Sequence, residues 1–372
     1  MAPPQARHRF GPKARAGAAA PAAASAASTA SAATAQPTPP ARLDDAWRRW
    51  IAENILLGTA PELVAQRLIE RGAPPALAAA EVEGCINSPY LRGAEVLQSR
   101  LAKRDWLLWL QARHEAADPA LAEVPRLHAP TPEAFVRACW GAGRPALITG
   151  WLDDWPARQW TPERLRALPA DTMVEIQMGR EANDNYEPQC LDHKKLVPLD
   201  RLLLMLAQDR ATNDFYITAN NSGHNRQALR PLWEELGEIP GVLRPGAARE
   251  EGFVWIGPRG TITPWHHDLT NNLLVQFHGT KRVRLVSAAQ TPLMRNQLHC
   301  YSAFAQDGDC RAAPPEARPR ILSVDLGPGE ALFIPVGWWH HVEGRSLTMG
   351  ASFTGFAWPN DFAQGYSTFD QV

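Results

Sequence analysis

The sequence lacks the marks of several large protein classes. Its five cysteines, Cys85, Cys139, Cys190, Cys300 and Cys310, are odd in number and include no CxxC pair. This excludes a zinc knuckle and argues against a disulfide framework, so a reducing, cytoplasmic setting is expected. No apolar run approaches the roughly 18 residues of a membrane-spanning helix, and no membrane partner is expected. A formal charge of −1 gives no general attraction to polyanions, which disfavours nucleic acid as a partner unless a local basic patch exists. Tryptophan, by contrast, is abundant at 14 copies. Many stand beside Pro or Gly, where they either pack a barrel or line a ligand cleft.

At roughly 150 residues per domain, 372 residues suffice for two or three units, although a β barrel can absorb more than about 200 alone. Residues 1–42 are an Ala/Pro-rich tail with almost no large apolar side chains, and are expected to be disordered because they cannot bury enough surface to offset the entropy of ordering. Arg7, Arg9, Lys13, Arg15 and Arg42, with no acid before Asp44, also resemble an organelle transit peptide. A low-complexity tail is the simpler alternative. The alanine run is not apolar enough for a secretory signal.

Residues 43–117 show helical spacing and form an expected helical module. Trp47, Trp50, Ile51 and Ile55 share one face; Thr59-Ala60-Pro61-Glu62 has the form of a capping box, with Leu63, Val64 and Leu68 behind it and Gly72 as the stop. Further helices are expected over 75–86 and 92–113, the last with Ala94, Leu97, Leu101 and Leu108 on one stripe. Three roles are open to this module: packing, homodimer contacts or holding a substrate segment.

After a Pro-bearing connection, residues 118–372 turn to short strands. Strands are expected at 145–150, 173–178, 214–219 and 253–257, and helices at 131–140, 161–167 and 199–208. The apolar segments NLLVQF, KRVRLV, ILSVDL, ALFIPV and LTMGASF then follow one another between Gly- or Pro-bearing turns. The fold class is mainly β with helical additions, a closed or nearly closed barrel.

His266 and Asp268 are two residues apart, so on a strand both project to one face. His340 follows ALFIPV and a Gly-Trp-Trp turn, where a barrel strand could bring it opposite Asp268. Two imidazoles and a carboxylate suit a facial triad for Fe(II), whereas a chance spacing of His266 and Asp268, and a satisfied core or solvated surface position for His340, are the simpler readings of each taken alone. In Lys281-Arg282-Val283-Arg284-Leu285 the period of two groups Lys281 with Val283 and Leu285. An ammonium on a buried face requires an anion; a lysine at a strand end can instead snorkel to water.

The run T-P-x-H-x-D at 263–268, with N-N-L-L-V-Q, G-T-K-R and G-x-A-L-F-I-P-x-x-W-W-H after it, resembles the JmjC, cupin-like family of Fe(II)- and 2-oxoglutarate-dependent oxygenases. It is most similar to the protein-hydroxylase branch that includes the asparaginyl hydroxylase of hypoxia-inducible factor, and RPALITGWLDDWPARQWTPERL resembles the start of that catalytic domain. Coverage runs from Leu127 to Trp358. The resemblance implies a double-stranded β-helix (jelly roll) for residues 118–372, with Fe(II), 2-oxoglutarate and O2 as cofactor and cosubstrates. It implies His266, Asp268 and His340 as the catalytic iron ligands. Lys281, helped by Thr263 and Tyr216, would hold the distal carboxylate of 2-oxoglutarate, and Asn272 its chelating end. Ser352 stands where that hydroxylase has a second asparagine. Trp255, His267 and Trp338 would line the substrate cleft.

The activity implied is hydroxylation of a protein or peptide side chain. N-methyl demethylation or RNA-base hydroxylation would use the same residues. From other classes, the barrel also fits a metal-dependent sugar-phosphate isomerase, which needs a fourth protein ligand, or a binding module without chemistry.

Overall fold

The computed structural model describes residues 42–304, 310 and 313–369. The expected N-terminal tail and transit-like segment lie outside these, apart from Arg42. The chain divides into two compact units between Leu107 and Leu108, and among the described residues no helix is long and apolar enough to cross a membrane.

The first unit is helical: α1 (Asp45–Leu56), α2 (Pro61–Glu70), α3 (Pro75–Ile86) and the start of α4 (Pro89–Ala117). Trp50, Ile51, Val64, Leu68, Ala78 and Val82 from α1–α3 make its core. Asp44 caps α1, its carboxylate accepting from Trp47 N–H. The capping box expected at Thr59 does not form. Ala60 is the N-cap and Pro61 opens α2, because proline's fixed φ and missing N–H suit the first helical position. The apolar stripe of α4 also departs from expectation, since Leu97 and Leu101 are exposed and Leu91 is the buried residue of that helix.

The second unit carries fifteen strands among its described residues: β1 (Arg126–His128), β2 (Ala146–Thr149), β3 (Met173–Met178), β4 (Lys194–Pro198), β5 (Phe215–Tyr216), β6 (Phe253–Gly257), β7 (Ile262–His266), β8 (Asn272–His278), β9 (Lys281–Val286), β10 (Asn296–Leu298), β11 (Tyr301–Ser302), β12 (Leu322–Leu326), β13 (Ala331–Ile334), β14 (Trp339–Gly344) and β15 (Thr348–Phe353). One six-stranded sheet has the order β1-β2-β13-β8-β15-β6, another β10-β11-β7-β14-β9-β12. From β6 to β9, and again from β12 to β15, the strands belong alternately to these two sheets, the winding of a double-stranded β-helix. A small sheet, β4-β3-β5, is joined to β6 through the Ile217–Ile256 bridge.

Side-chain parity sorts the barrel. Leu274, Leu332 and Ile334 of the first sheet meet Val283, Leu285, Val324 and Val342 of the second inside it. Leu273, Val275, Phe277, Phe333 and Phe353 point the other way into a core built with residues 135–248. The first sheet is thus covered on both faces, and NLLVQF reads as a continuous apolar run rather than an alternation. Three short helices within 222–251 (Ser222–Ala228, Arg230–Glu234 and Ala247–Glu251) were not expected; none is long enough to show a helical period. Phe333 is fully buried, edge-on to Phe135 at 5.0 Å and to Phe356 at 5.9 Å. Phe333→Ala should destabilise this unit by about 3–5 kcal/mol, read as a lower denaturant midpoint.

Candidate active site

β7 and β14 pair antiparallel with His266 opposite His340, so strand register brings two distant pieces of sequence together. The pairing then slips, because Val342 lies opposite Thr263, leaving two residues of β7, Pro264 and Trp265, against His341 alone. A β-bulge of this kind re-aims the strand. It lets both Thr263 and His266 face the cavity while Trp265 packs outward with Trp339, Val286 and Met294. Asp268 follows in the turn after β7.

His266 Nε2 lies 3.7 Å from Asp268 Oδ1, and His340 Nε2 lies 3.7 Å from Asp268 Oδ2. One donor atom from each residue fits within 4.8 Å of the others. Each imidazole uses Nδ1 against a backbone carbonyl, His266 on Pro264 O at 2.9 Å and His340 on Trp338 O at 3.0 Å. A carbonyl only accepts, so Nδ1 carries the proton and Nε2 turns its lone pair inward, the tautomer a metal needs. Burial and the neighbouring His266 hold His340 below the ordinary histidine range. Burial opposes the charge on Asp268, but His340, His266 and the Asn272 amide, at 3.1 Å, outweigh it and keep the carboxyl ionised. The donor set therefore fits a ferrous ion: two neutral imidazoles, one carboxylate and no thiolate. Among the described residues no fourth His, Cys, Asp or Glu completes a cage, which disfavours the isomerase alternative.

The three donors line a cavity of about 250 Å³. Lys281, on β9, enters the same cavity with 1% exposure, on the face shared with Val283 and Leu285 as its period of two requires. Its ammonium has no carboxylate partner among the described residues, and its nearest aromatic contact is Trp255 at 5.6 Å. Burial alone lowers its pKa from 10.5 to about 7. Between pH 7 and 9 the unfolded chain retains a proton that folded, ligand-free protein has released. Stability should therefore rise with pH across that window, by at most about 1.4 kcal/mol per pH unit, and Lys281→Met should flatten the slope. Above pH 9 the buried thiols of Cys139 and Cys300, pushed up to about 12, act in the opposite sense. Denaturant midpoints of both proteins at pH 7, 8 and 9 check this.

Thr263, Tyr216, Asn272 and Ser352 all line the cavity. The Tyr216 hydroxyl bonds with Thr261, and burial raises its pKa. Asn272 donates to Asp268 and leaves Oδ1 buried and unpartnered. Trp255 also lines the cavity, its indole N–H fixed by Ser352 Oγ at 2.9 Å.

Two of the expected cleft residues lie elsewhere. His267 alternates away from its neighbours and packs edge-on against Trp339 at 4.8 Å. Trp338 is buried among barrel-core side chains, its indole donating to Gly143 O at 2.9 Å.

Sequence reasoning missed Glu187 and Tyr301, which also line the cavity. Glu187 pairs at 3.2 Å with Arg180, a buried guanidinium that lies over the rings of Tyr186 and Tyr216. Tyr301 stands opposite His266 through the β11–β7 pairing. Neither sits in a periodic segment, and no sequence signal marks them.

A double-stranded β-helix whose adjoining strands present two imidazoles and a carboxylate to one cavity is a cupin with a facial donor set. Residues 132–355 match the cupin-like domain family. The chain belongs to this cupin-like (JmjC) family, the family of Fe(II)- and 2-oxoglutarate-dependent oxygenases. It is 28% identical over 245 residues to a lysine-specific demethylase 8 of Xenopus tropicalis, covering 62% of this chain and 52% of the relative. Jumonji C domain-containing protein 5 of Drosophila melanogaster is 28% identical over 251 residues (62% and 59%). HSPB1-associated protein 1 of Rattus norvegicus is 26% identical over 239 residues (57% and 48%). The chain spans about half the length of the curated relatives it matches.

Proposed function

We propose that residues 118–372 form the catalytic domain of an Fe(II)- and 2-oxoglutarate-dependent oxygenase that hydroxylates a side chain of a protein or peptide. The observation that carries this is one cavity with a metal-type triad at its wall and a buried, unpaired ammonium, Lys281, beside it. An unpaired buried charge is too costly to keep without an anionic ligand, and a dicarboxylate that also binds iron satisfies both features.

His266, Asp268 and His340 would hold the ion by Nε2, a carboxylate oxygen and Nε2, leaving its remaining positions open to the cavity. When bound, iron and 2-oxoglutarate would activate O2, one oxygen atom entering a C–H bond of the target and the other the keto acid, which gives up two electrons, loses carbon dioxide and becomes succinate. The Lys281 ammonium would pair with the far carboxylate of the diacid, with the Thr263 and Tyr216 hydroxyls beside it. Asn272 restrains the Asp268 carboxylate through its side-chain NH2 group, and the second hydrogen of that group would be available to the chelating end of the cosubstrate. Leu274, Ile334 and Val342 make the cavity wall apolar and limit water there. Trp255, Glu187 and Tyr301 would face the target side chain.

Purified protein with iron, ascorbate and labelled 2-oxoglutarate should release succinate and carbon dioxide. A cellular proteome incubated with it should yield peptides heavier by one oxygen. No keto-acid turnover under any peptide addition would overturn the proposal.

N-methyl demethylation is the second reading, favoured by two observations. Relatives from Xenopus tropicalis and Arabidopsis thaliana are named lysine-specific demethylases, and Glu187 gives the cavity a carboxylate suited to a cationic side chain. Formaldehyde release with loss of a methyl group, in place of oxygen gain, would select it.

A further inference from the structure

His266 and His340 sit on paired strands, where the β-ladder fixes their backbones. Asp268 does not. It lies in the turn between β7 and β8, so its position depends on whatever restrains that turn. The restraint comes from an asparagine pair, one member of which belongs to the C-terminal segment.

Asn271 is 5% exposed and does not line the cavity. Its backbone N–H and its Nδ2 both donate to Asn360 Oδ1, at 2.8 and 2.9 Å. In return Asn360 Nδ2 donates to the carbonyls of Asn271 and Thr354, at 2.9 and 2.8 Å. The backbone groups fix the orientation of the Asn360 amide, because an N–H requires an acceptor and a carbonyl requires a donor. Asn271 Oδ1 then accepts from Val336 N–H at 2.9 Å. Val336 belongs to the turn that leads into β14 and His340, and the next residue, Gly337, donates its N–H to Asp268 O at 3.2 Å. The bonds form a closed circuit: C-terminal segment, Asp268 turn, His340 turn, and back to Asp268. Farther along, Tyr366 OH bonds His299 Nδ1 at 3.2 Å and Phe369 stacks on the same ring at 5.3 Å, so the segment is anchored at a second point.

We propose that Asn271 and Asn360 are a positioning pair for the metal centre, tying the turn that bears Asp268 to the turn that delivers His340. The proposal rests on the metal-centre reading above. Asn360 lies beyond residues 132–355, the part of the chain that matches the family. The C-terminal segment would thus help to position a donor set that itself lies wholly in the matched region. Removing either amide leaves the donors themselves intact but lets the Asp268 turn move, and partners behind a ligand typically govern 10–100-fold in metal affinity.

The test is a titration of the full chain with Mn(II) alone, comparing wild type, Asn360→Ala, Asp268→Ala and, as a control in the same segment, the exposed Gln364→Ala. Asn360→Ala should weaken Mn(II) binding about tenfold or more. Its KM for 2-oxoglutarate at saturating iron should stay within about twofold of wild type, because Lys281 is untouched. Gln364→Ala should match wild type. Should Asn360→Ala fail to fold, Asn360→Ser takes its place. Mn(II) affinity within about twofold of wild type in a folded Asn360 variant overturns the pairing, even if the metal-free melting temperature falls. Wild-type protein that binds Mn(II) no better than Asp268→Ala instead overturns the metal centre, and the positioning role with it.

Discussion

Asp268→Ala should give a folded protein that neither retains iron nor turns over. Asp268 is the one carboxylate of the donor set, 3.7 Å from each histidine Nε2, and the other two donors are neutral. Its removal takes away the one negative charge of the donor set. Loss of a partner behind a ligand already costs about 10–100-fold, so loss of the ligand itself should exceed 100-fold in metal affinity. The fold should survive, because Asp268 sits in a turn outside any β-ladder and its side chain bonds only Asn272 besides the triad. Metal content after desalting, succinate release and the melting temperature are the three readings. Retained iron with lost turnover would mean that the ion is held elsewhere.

Lys281→Met should do the reverse, leaving iron in place and weakening 2-oxoglutarate. Methionine fills nearly the same volume without charge, so packing of the barrel interior is preserved. Removing one partner of a buried charge pair costs about 2–5 kcal/mol, which predicts a rise in KM for 2-oxoglutarate of about 100-fold with metal content unchanged. The ligand-free variant should be no less stable than wild type at pH 7, since it no longer buries an unpaired ammonium. Equal loss of iron in both variants would mean that Lys281 has been given the wrong role. The near-neutral pKa of Lys281 adds a condition: above pH 7 binding of the diacid must take up a proton, so affinity should fall as pH rises.

The site was legible where chemistry and strand parity coincide. His266 and Asp268 do converge, although Asp268 does so from the turn beyond β7 and not from the strand; Lys281 reads as inward-facing from its alternation with two arginines, and T-P-x-H-x-D carried the family. Register was not legible. Nothing in the order of residues states that His340 pairs with His266, and the bulge that turns Thr263 inward depends on a slip between two strands. Pro264 was the local sign, since proline inside a sheet favours bulges and edges. His267 lies off the cavity because it alternates with His266, whereas Trp338 has the parity of His340 but precedes β14 and is held in the barrel core by its bond to Gly143 O. Glu187, Tyr301 and Asn360 stand in segments without period, so only the folded chain brings them to the site. In the helical unit, Thr59 gave a plausible cap, but the proline two residues later set the start of α2.

Diffraction from crystals grown with Mn(II) and the unreactive analogue N-oxalylglycine, using anomalous scattering to locate the ion, addresses the central claim most directly. One ion should lie within direct coordination distance of His266 Nε2, an Asp268 oxygen and His340 Nε2, with the far carboxylate of the analogue against Lys281 Nζ. An ion bound away from these three residues, or an analogue whose far carboxylate leaves Lys281 unpaired, would contradict it.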